Sequence, residues 1–503
     1  MKNVLEKQRR KEILARVRCT IIFVNRMVLR KISHDIFQSY RHVHIKKKGP
    51  CVKKNVQRSY ATSPRLTPQE VTNILQANEY TKEFDGLGSI KYYDSNQLAS
   101  NNPIEDTRSE AQCLLTKGVL LGVFDGHGGS ACAQVASKRL FHYISACLLP
   151  PKLLQQYLDS VRSEKKLELL RTFNDRVEFV AEIRDLYQAS FSSFAKDLIQ
   201  SDSGGEFRVE KALENAFLRL DNDLSNEALS QLNKKDAART LAVAMSGAVA
   251  AVAHIDGPHL HVAGVGDCQA VLGVLSENDG WSAKMMTTEH NVDNRAEVER
   301  ILSEHPLSER STVIKMERLL GQLAPLRSLG DFRYKWSKNV MKQAVVPFLG
   351  ETAIPPNYHT PPYLTASPEV KYHRLTPRDQ FLILASDGLW DLISPLQAVR
   401  LVGEHMSGKV TLSPLRLPRK NMKLSDINEM LLQRKEGLKK KPHDSNAATH
   451  LLRNALGGTE YGIDHAKLSQ LLTLPSEVVR IFRDDITVTI VYMDSEFLRH
   501  CPP

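Results

Sequence analysis

Apolar residues along this chain gather into short runs, and several of those runs border on acids. From Lys117 to Phe124 the stretch KGVLLGVF is apolar and rich in β-formers, which predicts a buried strand with Asp125 at its tip. Beyond it Ala131, Val135, Ala136, Leu140, Tyr143, Ile144 and Cys147 recur at helical spacing. A helix is therefore expected, capped by Ser130 and stopped by Pro150. Phe381 to Ala385 repeats the strand pattern ahead of Asp387 and Gly388. After Asp484 and Asp485, Ile486, Val488, Ile490 and Tyr492 alternate with Thr487 and Thr489, the period of a strand. The fourth instance is the pair Glu105 and Asp106, shortly before the strand that leads into the first motif. Upstream, Thr67, Pro68 and Glu70 have the cap, first-turn proline and reciprocal acid of a helix start, and the folded part is expected to begin there.

Composition bounds the setting. A chain of 503 residues holds two or three domains of ordinary size or one large domain with insertions. The net charge of +11 is concentrated at one end. Residues 1–60 contain nine Lys and eight Arg against Glu6, Glu12 and Asp35, a net +14, so the remainder carries −3. The body is thus not a basic nucleic-acid binder. An Arg-rich, acid-poor start, ending in QRSYATS, has the composition of a mitochondrial transit peptide over 1–60, with processing near Ala61; the alternative is a basic arm for anionic surfaces. The domain proper is then 61–503, with surface insertions expected near 151–210 and 404–445. In the second of these, Lys439 to Lys441 form either a solvated face or a docking patch. Seven scattered cysteines without a CxxC pair argue against a disulfide framework or a zinc site, and no run is long enough for a membrane helix.

The acids acquire a chemical sense if they converge. Singly, a strand-end Asp caps a turn and faces water. Brought together, carboxylates repel, and a buried group of them is tolerable only when cations neutralise it. With no thiolate nearby and few histidines, hard oxygen-seeking ions such as Mg²⁺ or Mn²⁺ fit best. The glycines of GVFDGHGG let backbone approach closely, and the Gly126 carbonyl can add an oxygen ligand.

Taken in order, Glu105-Asp106, Asp125 to Gly129, Gly266-Asp267, Ser386 to Asp391 and Asp484 to Thr487 resemble the ED, DGHGG, GD, SDGLWD and D(N/D)xT elements of the metal-dependent PP2C family of serine/threonine phosphatases. The resemblance spans about residues 67 to 493. It implies an α+β fold, a sandwich of two antiparallel sheets flanked by helices in α-β-β-α layers, with two metals in a cleft at one end. It also implies that Asp125 bridges both ions, that the Gly126 carbonyl and Asp106 complete one side, and that Asp387 and Asp484 hold the other. Glu105, Asp391 and Asp485 then orient ligands and waters. His127 is suited to protonating the departing seryl or threonyl oxygen; the other reading is a turn histidine bonded to a neighbouring carboxylate. Asp267 is either a ligand of a third, weaker ion or a hairpin-turn acid.

Within the family, LTPQEVTNILQANEY, DSNQLASNNPIED, LRSLGDFRYKW, IPPNYHTPPYLTASPEV and NAATHLLRNALG resemble the branch that acts on mitochondrial pyruvate dehydrogenase. That likeness implies a matrix enzyme acting on phosphoserine of the E1 component, with the lipoyl-bearing E2 core and a regulatory subunit as further partners. Phosphatases of another 2-oxo-acid dehydrogenase, or a weakly active scaffolding relative, are the alternatives. Many family members carry a phosphate-gripping arginine four residues before the Glu of the ED pair; Asn101 stands there, an uncharged donor, so phosphate binding is expected to lean on the metals. Val249 and Gln269 replace the usual Thr and Arg near the cleft.

Overall fold

Antiparallel pairing organises the chain from its first strand to its last. The computed structural model describes residues 65–503 apart from 85, 87, 161–166, 176–178, 202–205, 279, 418–421 and 503, all within the unit Ser63–Pro503. The segment 1–60 and the expected processing site near Ala61 lie outside the described residues. The principal strands are β1 (Tyr80–Glu83), β2 (Ile90–Leu98), β3 (Thr107–Cys113), β4 (Val119–His127), β5 (Leu170–Phe173), β6 (Gly247–Asp256) and β7 (His259–Val265). They continue with β8 (Gln269–Leu275), β9 (Trp281–Met285), β10 (Leu329–Gly330), β11 (Glu369–Arg374), β12 (Asp379–Ala385) and β13 (Ile486–Met493). One sheet has the order β1-β2-β13-β12-β8-β9, the other β11-β7-β6-β4-β3-β5, with β10 pairing onto the start of β6.

The two sheets pack face to face through Leu121 and Val123 of β4, Ala251 and Ala253 of β6, and Leu272, Leu382, Leu384 and Val491 from the opposite sheet. The principal helices are α1 (Pro68–Gln76), α2 (Ala131–Leu148), α3 (Pro151–Ser160), α4 (Ala181–Gln200), α5 (Val209–Gln231), α6 (Ala237–Met245), α7 (Arg295–Glu304), α8 (Pro395–Met406), α9 (Leu424–Leu438), α10 (Ala447–Gly457) and α11 (His465–Leu472). Helices α2, α4, α5 and α6 bury their apolar stripes with Leu120, Phe124, Ala250 and Val252 on the outer face of the β4 sheet. Helices α1, α8, α10 and α11 do the same with Ile383, Ile486, Val488 and Ile490 on the outer face of the β12 sheet. The expected α-β-β-α sandwich is borne out.

Local expectations fare differently. At α1 the capping box is complete: Thr67 Oγ1 accepts from the Glu70 amide at 3.3 Å, and Glu70 Oε2 accepts from the Thr67 amide at 2.7 Å. Ser130 does precede α2, but its side chain makes no cap bond; Ser246 Oγ, 114 residues away in sequence, accepts from the Cys132 amide at 3.0 Å instead. The alternation in β13 does not separate a wet face from a dry one, because both sheet faces are covered and Thr487 and Thr489 are fully buried. The 151–210 segment is not confined to the surface. Its charged composition hides one apolar stripe, Ile183, Tyr187, Phe191, Phe194 and Ala195, which joins the main core beside Tyr143. In 404–445, by contrast, α9 buries only Gly437.

Candidate active site

Because every pairing between the strands named above is antiparallel, the C-terminal ends of some strands lie beside the N-terminal ends of others, and the acids meet there. The end of β4 faces the start of β3 (Phe124 opposite Thr107) and the start of β6 (His127 opposite Gly247). The end of β12 faces the start of β8 (Ala385 opposite Gln269) and the first half of β13 (Ala385 opposite Val488). Asp106, Asp125, Asp267, Asp387 and Asp484 are thereby delivered to one end of the sandwich from five separate stretches of chain.

Their mutual influence is visible in their ionisation. Burial, then the charges of Asp106, Asp387 and Asp267, push the Asp125 carboxyl well above its ordinary value. Asp106 is raised by burial and by Asp485 and Asp484, against the opposing hydrogen bonds of Ser386 and Thr487. Asp387 is raised by burial and by Asp267, Asp484 and Asp391. Asp267 is raised chiefly by burial, with His127 acting in the opposite sense. Among the described residues no Lys or Arg forms an ion pair with Asp106, Asp125, Asp267, Asp387 or Asp484; the nearest such contact, Arg480 to Glu105 at 2.9 Å, belongs to the rim. Among the described residues no three His, Cys, Asp or Glu side chains are drawn together tightly enough to enclose an ion by themselves. That donor set, oxygen-only and anionic, fits a small hard ion that retains several waters and takes one or two carboxylates, and does not fit a closed thiolate or imidazole site.

A second row of contacts holds the acids in place. Ser386 Oγ donates to Asp106 Oδ2 at 2.7 Å and accepts from the Thr487 amide at 3.0 Å. Asp485 closes the loop before β3: its carboxylate accepts from the amides of Ser100, Asn101 (2.8 Å) and Glu105 (2.9 Å) and from Asn101 Nδ2 (2.9 Å). One amide hydrogen of Asn101 is therefore committed to Asp485, which ties this residue to the loop. Glu105 Oε1 accepts from the Gly129 amide at 2.7 Å, tying the turn after β4 to the same loop. Two glycines are required by space. A Cβ on Gly126 would lie 2.4 Å from the Glu105 carbonyl oxygen, and one on Gly388 would lie 1.9 Å from that of Asp485.

The residue that sequence reasoning missed is Asp331. His127 Nε2 lies 2.5 Å from Asp331 Oδ2, which also accepts from Ser328 Oγ at 2.7 Å. Burial disfavours the imidazolium, but Asp331 outweighs it, so His127 is held above its ordinary pKa. Asp331 has a left-handed backbone at φ 53° and stands between the two-residue β10 and a short turn of helix at Phe332–Tyr334, so no long apolar run ended on it to announce it. Gly247 makes room for the pair: a Cβ there would meet Asp331 Oδ2 at 2.1 Å and His127 Nε2 at 2.2 Å. Asp221 of α5 steadies the loop, accepting from the Gly330 amide and from Lys335 Nζ, both at 2.8 Å. The two unusual residues are also accounted for. Val249 pairs opposite Asp125 and packs over Gly266, where a Cβ would be 2.1 Å from its methyl carbon; Gln269 donates to Glu289.

Residues 174–426 match the family described as Protein phosphatase 2C. Asp267, Asp331 and Asp387 fall inside that span, whereas Asp106, Asp125 and Asp484 lie outside it. The chain is 45% identical over 459 residues to [Pyruvate dehydrogenase [acetyl-transferring]]-phosphatase 1, mitochondrial, of Homo sapiens, covering 87% of this chain and 86% of that one. It is 41% identical to the corresponding phosphatase 2 of Homo sapiens, covering 86% of this chain and 84% of that one. It is 30% identical to phosphatase 1 of Saccharomyces cerevisiae, covering 81% and 69%.

Proposed function

The chain belongs to the protein phosphatase 2C family of metal-dependent serine/threonine phosphatases, and from that premise we propose that it dephosphorylates phosphoserine on the E1 component of the pyruvate dehydrogenase complex in the mitochondrial matrix, so reactivating it. The names of its relatives support the substrate and the mitochondrion, and the basic composition of 1–60 supports a transit peptide there. The observation that carries the chemistry is the gathering of five carboxylates with no ion-paired Lys or Arg among the described residues.

In this reading Asp125, the Gly126 carbonyl and Asp106 hold one Mg²⁺ or Mn²⁺, Asp125 with Asp387 and Asp484 hold a second, and Asp267 serves a third, weaker one. Such ions, when bound, acidify a water and neutralise phosphoryl oxygens. The chain's own residues supply position and a proton. Asp485 and Asn101 keep the Glu105-Asp106 loop at its height over β4. Asp331 engages Nε2 of His127, leaving Nδ1 to carry the proton for the departing seryl oxygen. For the E2 core and a regulatory subunit, the supporting feature is α9, which exposes Leu424, Leu431, Leu432 and Leu438 on one side of the molecule's 404–445 segment.

The test is release of phosphate from phosphorylated pyruvate dehydrogenase complex, with and without Mg²⁺ or Mn²⁺, by the wild type and by Asp387→Asn. The substitution keeps size and removes a charge from the cluster. Activity is expected only with the ion, and to fall by orders of magnitude in the variant with its melting temperature little changed. Full activity of Asp387→Asn in limiting Mg²⁺ would sink the two-ion reading; activity on other phosphoproteins but not on E1 would sink the substrate.

A further inference from the structure

A second cavity, of about 450 Å³, lies among the helices covering the outer face of the β12 sheet, and none of its lining residues belongs to the acid cluster. Its walls are largely apolar, with Pro68, Leu412, Ile463 and Leu468 among the lining residues. Its polar lining joins three cationic side chains, Arg453 of α10 with Lys440 and Lys441 just beyond α9, to Thr72, Asn454 and three histidines.

Arg453 is buried, with 6% of its surface exposed, and its orientation is imposed from behind. Nε and Nη2 each donate to the buried Asp444 carboxylate at 2.7 Å, and Nη2 also reaches Thr72 Oγ1 at 3.3 Å. That fork leaves Nη1 as the open edge of a guanidinium that lines the cavity. The arrangement is costly unless used, because a buried guanidinium has five donors to satisfy. Asp444 cancels the charge of Arg453, so the surplus at the mouth comes from Lys440 and Lys441. Lys439 is paired with Glu436 at 2.6 Å, but among the described residues neither Lys440 nor Lys441 has a carboxylate partner. A concave, mainly apolar space of several hundred Å³ with a few convergent polar groups is the ordinary form of a small-molecule site. A pre-set Arg edge flanked by two unpaired lysines selects for negative charge at one end of the occupant.

We propose that this cavity binds a small organic anion, a carboxylate or tetrahedral oxyanion head on an apolar stem, at a site separate from the catalytic cleft. The head meets Arg453, Lys440 and Lys441, and the stem lies along Leu412 and Leu468. Octanoate and 1-octanesulfonate are suitable probes for the two heads, since neither can be hydrolysed by a phosphatase. Each is titrated calorimetrically into the full-length protein with Mg²⁺ present, beside 1-octanol, which lacks the charge, and acetate, which lacks the stem. The comparison protein carries Lys440→Gln and Lys441→Gln together; both side chains are exposed, so folding is undisturbed, as a matched melting temperature verifies. One-to-one binding of at least one octyl anion is expected, tighter than that of either control, and weakened at least tenfold in the double variant; which anion binds identifies the head. The proposal is overturned if neither octyl anion binds, if 1-octanol binds as well as they do, or if the double variant binds them unchanged.

Discussion

At the scale of single residues, His127 and Asp331 separate orientation from acid catalysis. With Nε2 engaged by Asp331 at 2.5 Å, the imidazole can give up only the proton on its other nitrogen. A general acid matters most when the leaving group is poor. His127→Gln should therefore lose about 10² to 10⁴ in rate on a phosphoserine peptide and far less on nitrophenyl phosphate, whose phenolate departs without help. Steady-state rates on the two substrates check this. An equal loss on both would assign His127 to holding the cleft together. The pattern of the chain pointed to His127 because it follows Asp125 at the end of an apolar run. It could not point to Asp331, which is 204 positions away and is joined to His127 only by the pairing of β6 with β4 and β10.

At the scale of elements, the two long segments between strands behave oppositely, and burial decides which substitutions matter. Phe191 of α4 packs edge-on to Tyr143 at 5.4 Å inside the main core, so Phe191→Ala should cost about 3–5 kcal/mol. Leu431 of α9 is half exposed, and Leu431→Ser should change stability by no more than about 0.5 kcal/mol. Denaturant melts of the two variants make the comparison. A different device ties α7 to the segment before β10. Glu297 accepts from Arg327 Nε and Nη2, both at 2.8 Å, and from Arg300. Burial pushes the Glu297 carboxyl up, but these two guanidinium groups outweigh it and hold it at about 2, below the ordinary 4.5. A carboxyl depressed in the folded state stabilises above its unfolded pKa and loses that contribution as pH falls toward its folded one. The wild type should accordingly exceed Glu297→Gln by on the order of 3 kcal/mol at pH 7, with the gap closing between about pH 4.5 and pH 2. Guanidinium melts across that range would show the convergence, and a pH-independent gap would contradict it.

At the scale of the whole molecule, selectivity has to come from surfaces beyond the cleft, because the carboxylates recognise ions and not a protein sequence. Holding an enzyme beside its substrate raises the effective concentration without any new contact at the reacting atoms. If the exposed leucines of α9 dock the E2 core, phosphorylated E1 within the intact complex should react much faster than free E1 at equal concentration. Leu431→Ser with Leu432→Ser should narrow that ratio while leaving nitrophenyl phosphate turnover unchanged. Equal rates on free and assembled E1 for the wild type would remove the docking role.

What the sequence by itself determined was everything carried by short range: the capping box at Thr67 and Glu70, the apolar runs of β4, β12 and β13, and the acids at their ends. Those features are written in adjacent residues, because propensity, period and capping act over a few positions. The motif order, compared with a known family, added the topology and the cleft, which no periodicity could supply. Only the tertiary structure decided that Ser246 caps α2 in place of Ser130, that Asn101 is tied to Asp485, that the charged 151–210 segment fills the core, and that His127 meets Asp331. Each of these joins groups from distant parts of the chain, and a pairing across tens to hundreds of residues is set by antiparallel register and packing, to which local sequence is blind.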